Sequence, residues 1–134
     1  MANVAEALQE LGITEWVLRG EPTTEVEFNS MFAKVTGADS NGSAIESSDP
    51  ADFGTTWTAV SAKMDEIDAA APMKELRRQR NAKLAESDWM GNSDVTMSSD
   101  WTTYRQALRD LPDGASPTWD GTTLGNVTWP TEPS

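Results

Sequence analysis

The sequence predicts an α+β fold. It reads as a small N-terminal helix/strand unit over residues 1–54, a helical module over 55–112 and an extended Pro/Trp tail over 113–134. Three observations predict it. Apolar residues recur at helical spacing along much of the chain. Two short runs near the N-terminus carry β-branched or aromatic residues. Four of the seven prolines, Pro112, Pro117, Pro130 and Pro133, gather at the end, where no helix fits them.

Val4, Leu8 and Leu11 lie on one face of a short helix that Gly12 can end in the left-handed conformation. Residues 13–19 (Ile-Thr-Glu-Trp-Val-Leu-Arg) have strand composition, and Gly20-Glu21-Pro22 reads as a turn. Thr24 and Glu27 form a capping box. The apolar stripe Phe28, Met31, Phe32 and Val35 then predicts a helix ending at Gly37. Asn41-Gly42 signals a turn, Ala44-Ile45-Glu46 a short second strand, and Ser47–Phe53 a loop.

The strongest helical pattern follows. Trp57, Val60, Met64, Ile67 and Ala71 form a regular seam that Thr55 or Thr56 can cap. Pro72 interrupts it. A second stripe of Met73, Leu76 and Leu84 is rotated by roughly 200° from the first, at about 100° per residue. Either the helix breaks near Pro72 or one kinked helix changes partners there. Ser98 or Ser99 can cap a last helix bearing Trp101, Tyr104, Leu108 and Leu111, which Leu111-Pro112-Asp113-Gly114 should stop.

Composition excludes several kinds of chemistry. The chain has 134 residues, no cysteine and no histidine, so thiolate and imidazole catalysis or metal binding are out of reach. The carboxylate pairs Asp49/Asp52 and Asp65/Asp68 have no ligand set or apolar pocket legible around them and read as solvated surface. Asp39–Ser43 lacks the glycine and glutamate positions of a calcium loop and reads as a turn. No catalytic residue, metal site or cofactor is expected. The start of the chain lacks the basic and apolar regions of a signal peptide, and no membrane-spanning run occurs, so a cytosolic protein without membrane contact is expected.

The net charge of −12 disfavours nucleic-acid binding. It is unevenly spread: residues 1–72 carry 13 acidic and 3 basic side chains, residues 73–134 carry 9 and 7. The basic run Lys74, Arg77, Arg78, Arg80 and Lys83 belongs to the second segment. Its expected role is to match acidic groups of this chain or to stay solvated, with an acidic partner surface as the alternative. Arg80 lies four residues from both Leu76 and Leu84, so it points into the apolar stripe and needs a partner; Asp88, Asp94 and Asp110 are the candidates for a structural ion pair.

Residues 77–112 run Arg-Arg-Gln-Arg-Asn-Ala-Lys-Leu-Ala-Glu-Ser-Asp-Trp, a polar gap, then Ser-Asp-Trp-Thr-Thr-Tyr-Arg-Gln-Ala-Leu-Arg-Asp-Leu-Pro. This resembles the C-terminal module of phage tail-fibre assembly chaperones, and Trp129-Pro130 matches the Trp-Pro near that family's end. The segment Gly20–Glu25 with the following Phe28-Asn29-Ser30-Met31-Phe32 resembles small proteins of marine cyanobacterial phages.

The chaperone resemblance implies a non-enzymatic protein that occludes apolar surface of a tail-fibre or other tail protein, in the host cytoplasm, during assembly. A permanent part of the virion tail, neck or baseplate is the alternative, and an acidic mimic of DNA charge a remoter one. Two short helices cannot bury all the rings of this segment by themselves, since each tryptophan offers roughly 150–250 Å². The rings pack on one another, on the N-terminal half, on the tail or on a partner. Trp89, Trp101, Tyr104, Arg105, Trp119, Trp129 and Pro130 are the residues expected at a partner surface.

Overall fold

The computed structural model describes residues 1–134 and contains four α-helices and two small antiparallel sheets. Two compact units divide the chain, Met1–Ala69 and Ala70–Ser134.

In the first unit, α1 (Val4–Glu10) starts where the Asn3 side chain accepts the Glu6 N–H at 2.8 Å, and Gly12, at φ +76, follows its end. Strand β1 (Trp16–Leu18) comes next, then α2 (Glu25–Met31), whose Thr24 cap accepts the Glu27 N–H. The chain then turns directly into β2 (Phe32–Ala38) and returns as β3 (Ala44–Ser47). The sheet order is β1-β2-β3, with Trp16 opposite Lys34 and Leu18 opposite Phe32. The Asp39 carboxylate accepts the Asn41 and Ser43 N–H groups, which closes the β2–β3 turn around Gly42.

The helical stripe expected over Phe28, Met31, Phe32 and Val35 is therefore corrected. Only its first half is helix; Phe32 opens a strand. Phe28 and Phe32 are both fully buried, so a four-residue spacing that fits one helical face is here the end of a helix and the start of a strand facing the same core. β-Branched Val35 and Thr36, and the ladders available on both sides of β2, favour the extended chain. A bulge between Val35 and Gly37 sits where the sequence suggested a helix stop.

An aromatic cluster forms this unit's core. Phe28 and Phe32 stack at 4.9 Å, and Phe53 meets Phe32 edge-on at 4.7 Å. Val4, Ala7 and Leu8 of α1, together with Val60, close the cluster, and Trp57 packs on Phe28 at 5.7 Å. Phe53 follows a short 3₁₀ turn, Pro50–Asp52, whose Asp49 cap accepts the Ala51 N–H.

The helix α3 (Trp57–Glu86) is continuous through Pro72. Of the two alternatives at that residue, the break is therefore not adopted. A proline in a helix removes the hydrogen bond to the carbonyl four residues back, here Asp68, without forcing the chain out of helical φ. Residues 57–69 of α3 belong to the first unit and residues 70–86 to the second.

In the second unit, the end of α3 leads through the 3₁₀ turn Asp88–Gly91 to α4 (Ser99–Gly114), which the Ser98 hydroxyl caps by accepting the Trp101 N–H. Pro112, expected to stop α4, lies within its last turn and is buried. The tail contains a small hairpin of β4 (Thr118–Trp119) and β5 (Leu124–Gly125). Its turn is held by the Asp120 carboxylate, which accepts the Thr122 and Thr123 N–H groups; these bonds depress the Asp120 pKa. No helix is long and apolar enough to cross a membrane.

Gly20 links β1 to α2 at φ +138, and a Cβ there would stand 2.9 Å from the Met31 sulfur. Gly42, at φ +80, has open space around it. Gly20→Ala should therefore cost about 1–3 kcal/mol and Gly42→Ala about 1 kcal/mol in denaturant unfolding. Equal losses would show that the Gly20 backbone is not constrained.

Candidate functional site

The sequence-predicted residues of the second unit gather around the C-terminal end of α3. The last carbonyls of a helix have no partner in the helix and carry the negative end of its dipole. Here the Leu84 carbonyl accepts from Arg105 Nη1 at 2.8 Å. The same nitrogen donates to the Ser87 hydroxyl at 2.7 Å, and Arg105 Nη2 donates to the Asp88 carboxylate at 2.7 Å. Ser87 is 2 % exposed and Arg105 9 %, so the guanidinium is withdrawn from water with three acceptors around it. The Asp88 side chain remains 63 % exposed, which keeps the cost of burying the pair low.

Arg105 was expected to face a partner. It instead ties α4 to the end of α3. Arg80, expected to make this ion pair, is half-buried as its spacing implies, but its guanidinium bonds the Asn81 side chain at 2.9 and 3.1 Å and reaches the Arg109 carbonyl at 3.5 Å. Asp88 is taken by Arg105, and neither Asp94 nor Asp110 pairs with Arg80. The physical reason is geometric. Asp88 lies in the turn beyond α3, close to the Leu84 carbonyl, which also accepts the Ser87 N–H at 3.2 Å, and an arginine approaching from α4 reaches all three acceptors together.

The aromatic residues divide in two ways. Tyr104 is 7 % exposed and Leu108 and Leu76 are fully buried, so the α4 face predicted from spacing is an interior face. Trp101, half-buried, meets Tyr104 edge-on at 5.6 Å. Trp119 is half-buried in β4, and Trp129 lies under the Lys83 ammonium, 5.2 Å from its ring centroid, a cation–π contact. Pro130 and Glu132 line a cleft with Tyr104 and Ala107, so the tail docks on its own unit. Trp89 is different. It immediately follows Asp88 and is 55 % exposed, the one large hydrophobic side chain of this unit in that state.

Sequence reasoning missed the contacts of Ser87 with Arg105 and of Lys83 with Trp129. A serine at a helix end usually signals solvent, and only the later Arg105 makes it an interior acceptor. Along α3, the exposed Arg78 pairs with the half-buried Glu75 at 2.5 Å, and this hydrogen bond is the main cause that lowers the Glu75 pKa to about 2. Lys74 and Arg77 are exposed and make no ion pair. No group of acidic side chains is arranged to hold a metal ion.

Residues 73–134 match the family model described as phage tail assembly chaperone protein. The match covers the lock around Arg105, Trp89 and the whole tail, and bears out the family resemblance of this module. The match lies within the second unit. No curated protein and no solved structure matches the chain.

Two measurements check this geometry. Arg105→Ala should destabilise by roughly 2–4 kcal/mol, because a buried hydroxyl, a helix-end carbonyl and a carboxylate lose their donor together. Arg80→Ala should cost about 1 kcal/mol or less. Equal shifts of the denaturation midpoint would contradict the assignment. Tyr104 is the sole tyrosine, so tyrosinate absorbance reports it alone. Burial raises its pKa above the usual 10, and the charges of Glu132 and Glu86 raise it further. A raised tyrosine pKa contributes stability that is complete below the unfolded value and lost as pH rises through the folded one. Glu132→Gln should bring the titration midpoint down while leaving it above 10. An unchanged midpoint would mean that the tail does not lie beside Tyr104.

Proposed function

We propose, taking the match of residues 73–134 to phage tail assembly chaperones as premise, that this protein covers an apolar surface of a tail-fibre or other tail protein while the tail assembles. The observation that carries the reading is Trp89. A tryptophan ring left half in water is unfavourable for a lone soluble domain and is the residue type most often found at the centre of protein interfaces. The turn that bears it is fixed on one side by the Arg105 bonds to Ser87 and Asp88, and internally by the Met90 N–H donating to the Ser87 carbonyl at 3.0 Å. A side chain held this way loses little conformational entropy when a partner covers it, so more of its burial appears as affinity.

The mechanism involves no bond chemistry. Fibre ends expose apolar surface before they pair, and a reversible cover over that surface suppresses wrong contacts. The partner acts in the same compartment as this chain during assembly. Release or retention in the virion depends on whether the fibre's own contacts bury that surface better than Trp89 does.

The test is capture by co-expression with the tail-fibre protein followed by affinity pull-down. Trp89→Ala should reduce capture by at least roughly tenfold, as for an interface hot spot. Its denaturation midpoint should move by less than the equivalent of about 1 kcal/mol, because the ring is largely exposed already. Undiminished capture would refute the reading. Mass spectrometry of purified virions then separates a departing chaperone, found in traces, from a retained component found in stoichiometric amount.

A further inference from the structure

The first unit carries a second surface, outside the matched residues. A pocket of about 400 Å³ lies between the start of the chain and the first turns of α3. Its apolar lining includes Pro22, Trp57 and Met64, and its acidic lining is Glu21, Asp65 and Asp68. Trp57, Met64, Asp65 and Asp68 fall along one face of α3, so an apolar strip on that helix ends at two neighbouring carboxylates. Pro22 is fully buried and Trp57 rests on Phe28, which makes the apolar part a fixed piece of the aromatic core.

The charges around it are unbalanced. Glu21 accepts the Val4 N–H at 2.8 Å and Asp68 accepts the Ala2 N–H at 2.5 Å, each through one oxygen, which leaves each a second oxygen. Asp65 is exposed and accepts no hydrogen bond from the protein. No lysine or arginine side chain lines the pocket; Met1, which carries the α-ammonium, borders it and makes no ion pair with its three carboxylates. All three basic side chains of residues 1–69 are committed elsewhere: Arg19 to Glu46, Lys63 to Glu66, and Lys34 to the backbone carbonyls of Thr14 and Glu15. Of the 13 acidic side chains in that stretch, only Glu46 and Glu66 have a cationic partner.

We propose that this pocket seats a lysine or arginine side chain from a basic segment of a partner protein. The aliphatic stem lies against Trp57 and Met64, as such stems do on apolar surfaces, and the charged head meets Asp65, Asp68 and Glu21. The indole face adds a cation–π attraction. The surplus negative charge of the unit steers a basic segment toward the pocket from a distance, so association is salt-sensitive. This inference does not rest on Trp89 or on the chaperone reading, since it concerns the other unit.

The probe is the peptide acetyl-Gly-Gly-Arg-Gly-Gly-amide, titrated into the full chain at low salt. The readout is the Trp57 indole resonance and the Asp65 and Asp68 backbone amides in two-dimensional NMR. Saturable shifts confined to these groups are expected. A peptide with norleucine in place of arginine should bind at least roughly fivefold more weakly, and so should the arginine peptide on an Asp65→Asn, Asp68→Asn variant whose Trp57 signal confirms the fold. Equal binding of the norleucine peptide, shifts spread over all exposed carboxylates, or no saturable shift of Trp57 would each overturn the proposal.

Discussion

The guanidinium of Arg105 is the constraint on which the second unit depends. A helix end leaves carbonyls without partners, and an arginine is costly to bury unless its donors are used. Each problem solves the other here. Leu84, Ser87 and Asp88 supply a carbonyl, a hydroxyl and a carboxylate within 2.8 Å of one side chain. The chain leaving α3 is thereby fixed to α4, and the next residue, Trp89, is left facing water. A lysine could reach one of these acceptors but could not present a planar fork to all three. The Leu-x-x-Ser-Asp-Trp and Tyr-Arg segments, which carry the resemblance to assembly chaperones, are thus two sides of one hydrogen-bonded lock, with the exposed ring as its product.

The first unit is held differently, by edge and stacked contacts among Phe28, Phe32 and Phe53. Aromatic groups bury much area with few rotamers, which suits a unit with few residues to spare. Its charged side chains are 13 acidic and 3 basic, while the second unit comes close to neutral. The two units therefore offer different chemistry to their surroundings: an apolar ring on one, a carboxylate-rimmed pocket on the other.

Much of this was legible in the sequence where local chemistry decides the structure. The Val4–Glu10 helix follows from the spacing of Val4 and Leu8 with Gly12 beyond, and the Thr24 and Ser98 caps and the Asn41-Gly42 turn from residues that satisfy nearby amides. The α+β class follows from the same signals. What was not legible depends on residues far apart in the chain. Phe32 sits at a helical spacing from Phe28, and only its pairing with Leu18 makes it a strand residue. Phe53 has no periodic neighbours, yet it fills the core. Arg80 and Arg105 both carry a charge into an apolar stripe, and spacing alone cannot say which of them reaches Asp88. Pro112 reads as a helix stop and Pro72 as either a break or a kink, and α3 and α4 run through them.

The proposed role in tail assembly rests on the lock as a device that presents Trp89 in a fixed place. Amide hydrogen exchange across residues 84–92, compared between the native chain and Arg105→Lys, tests this most directly. The lysine keeps the charge and removes the fork. The account predicts that the Met90 and Asn92 amides, bonded to the Ser87 and Trp89 carbonyls, lose most of their protection while amides of the first unit keep theirs. Unchanged protection at Met90 and Asn92 in the lysine variant would contradict it, because the turn would then hold its shape without the arginine.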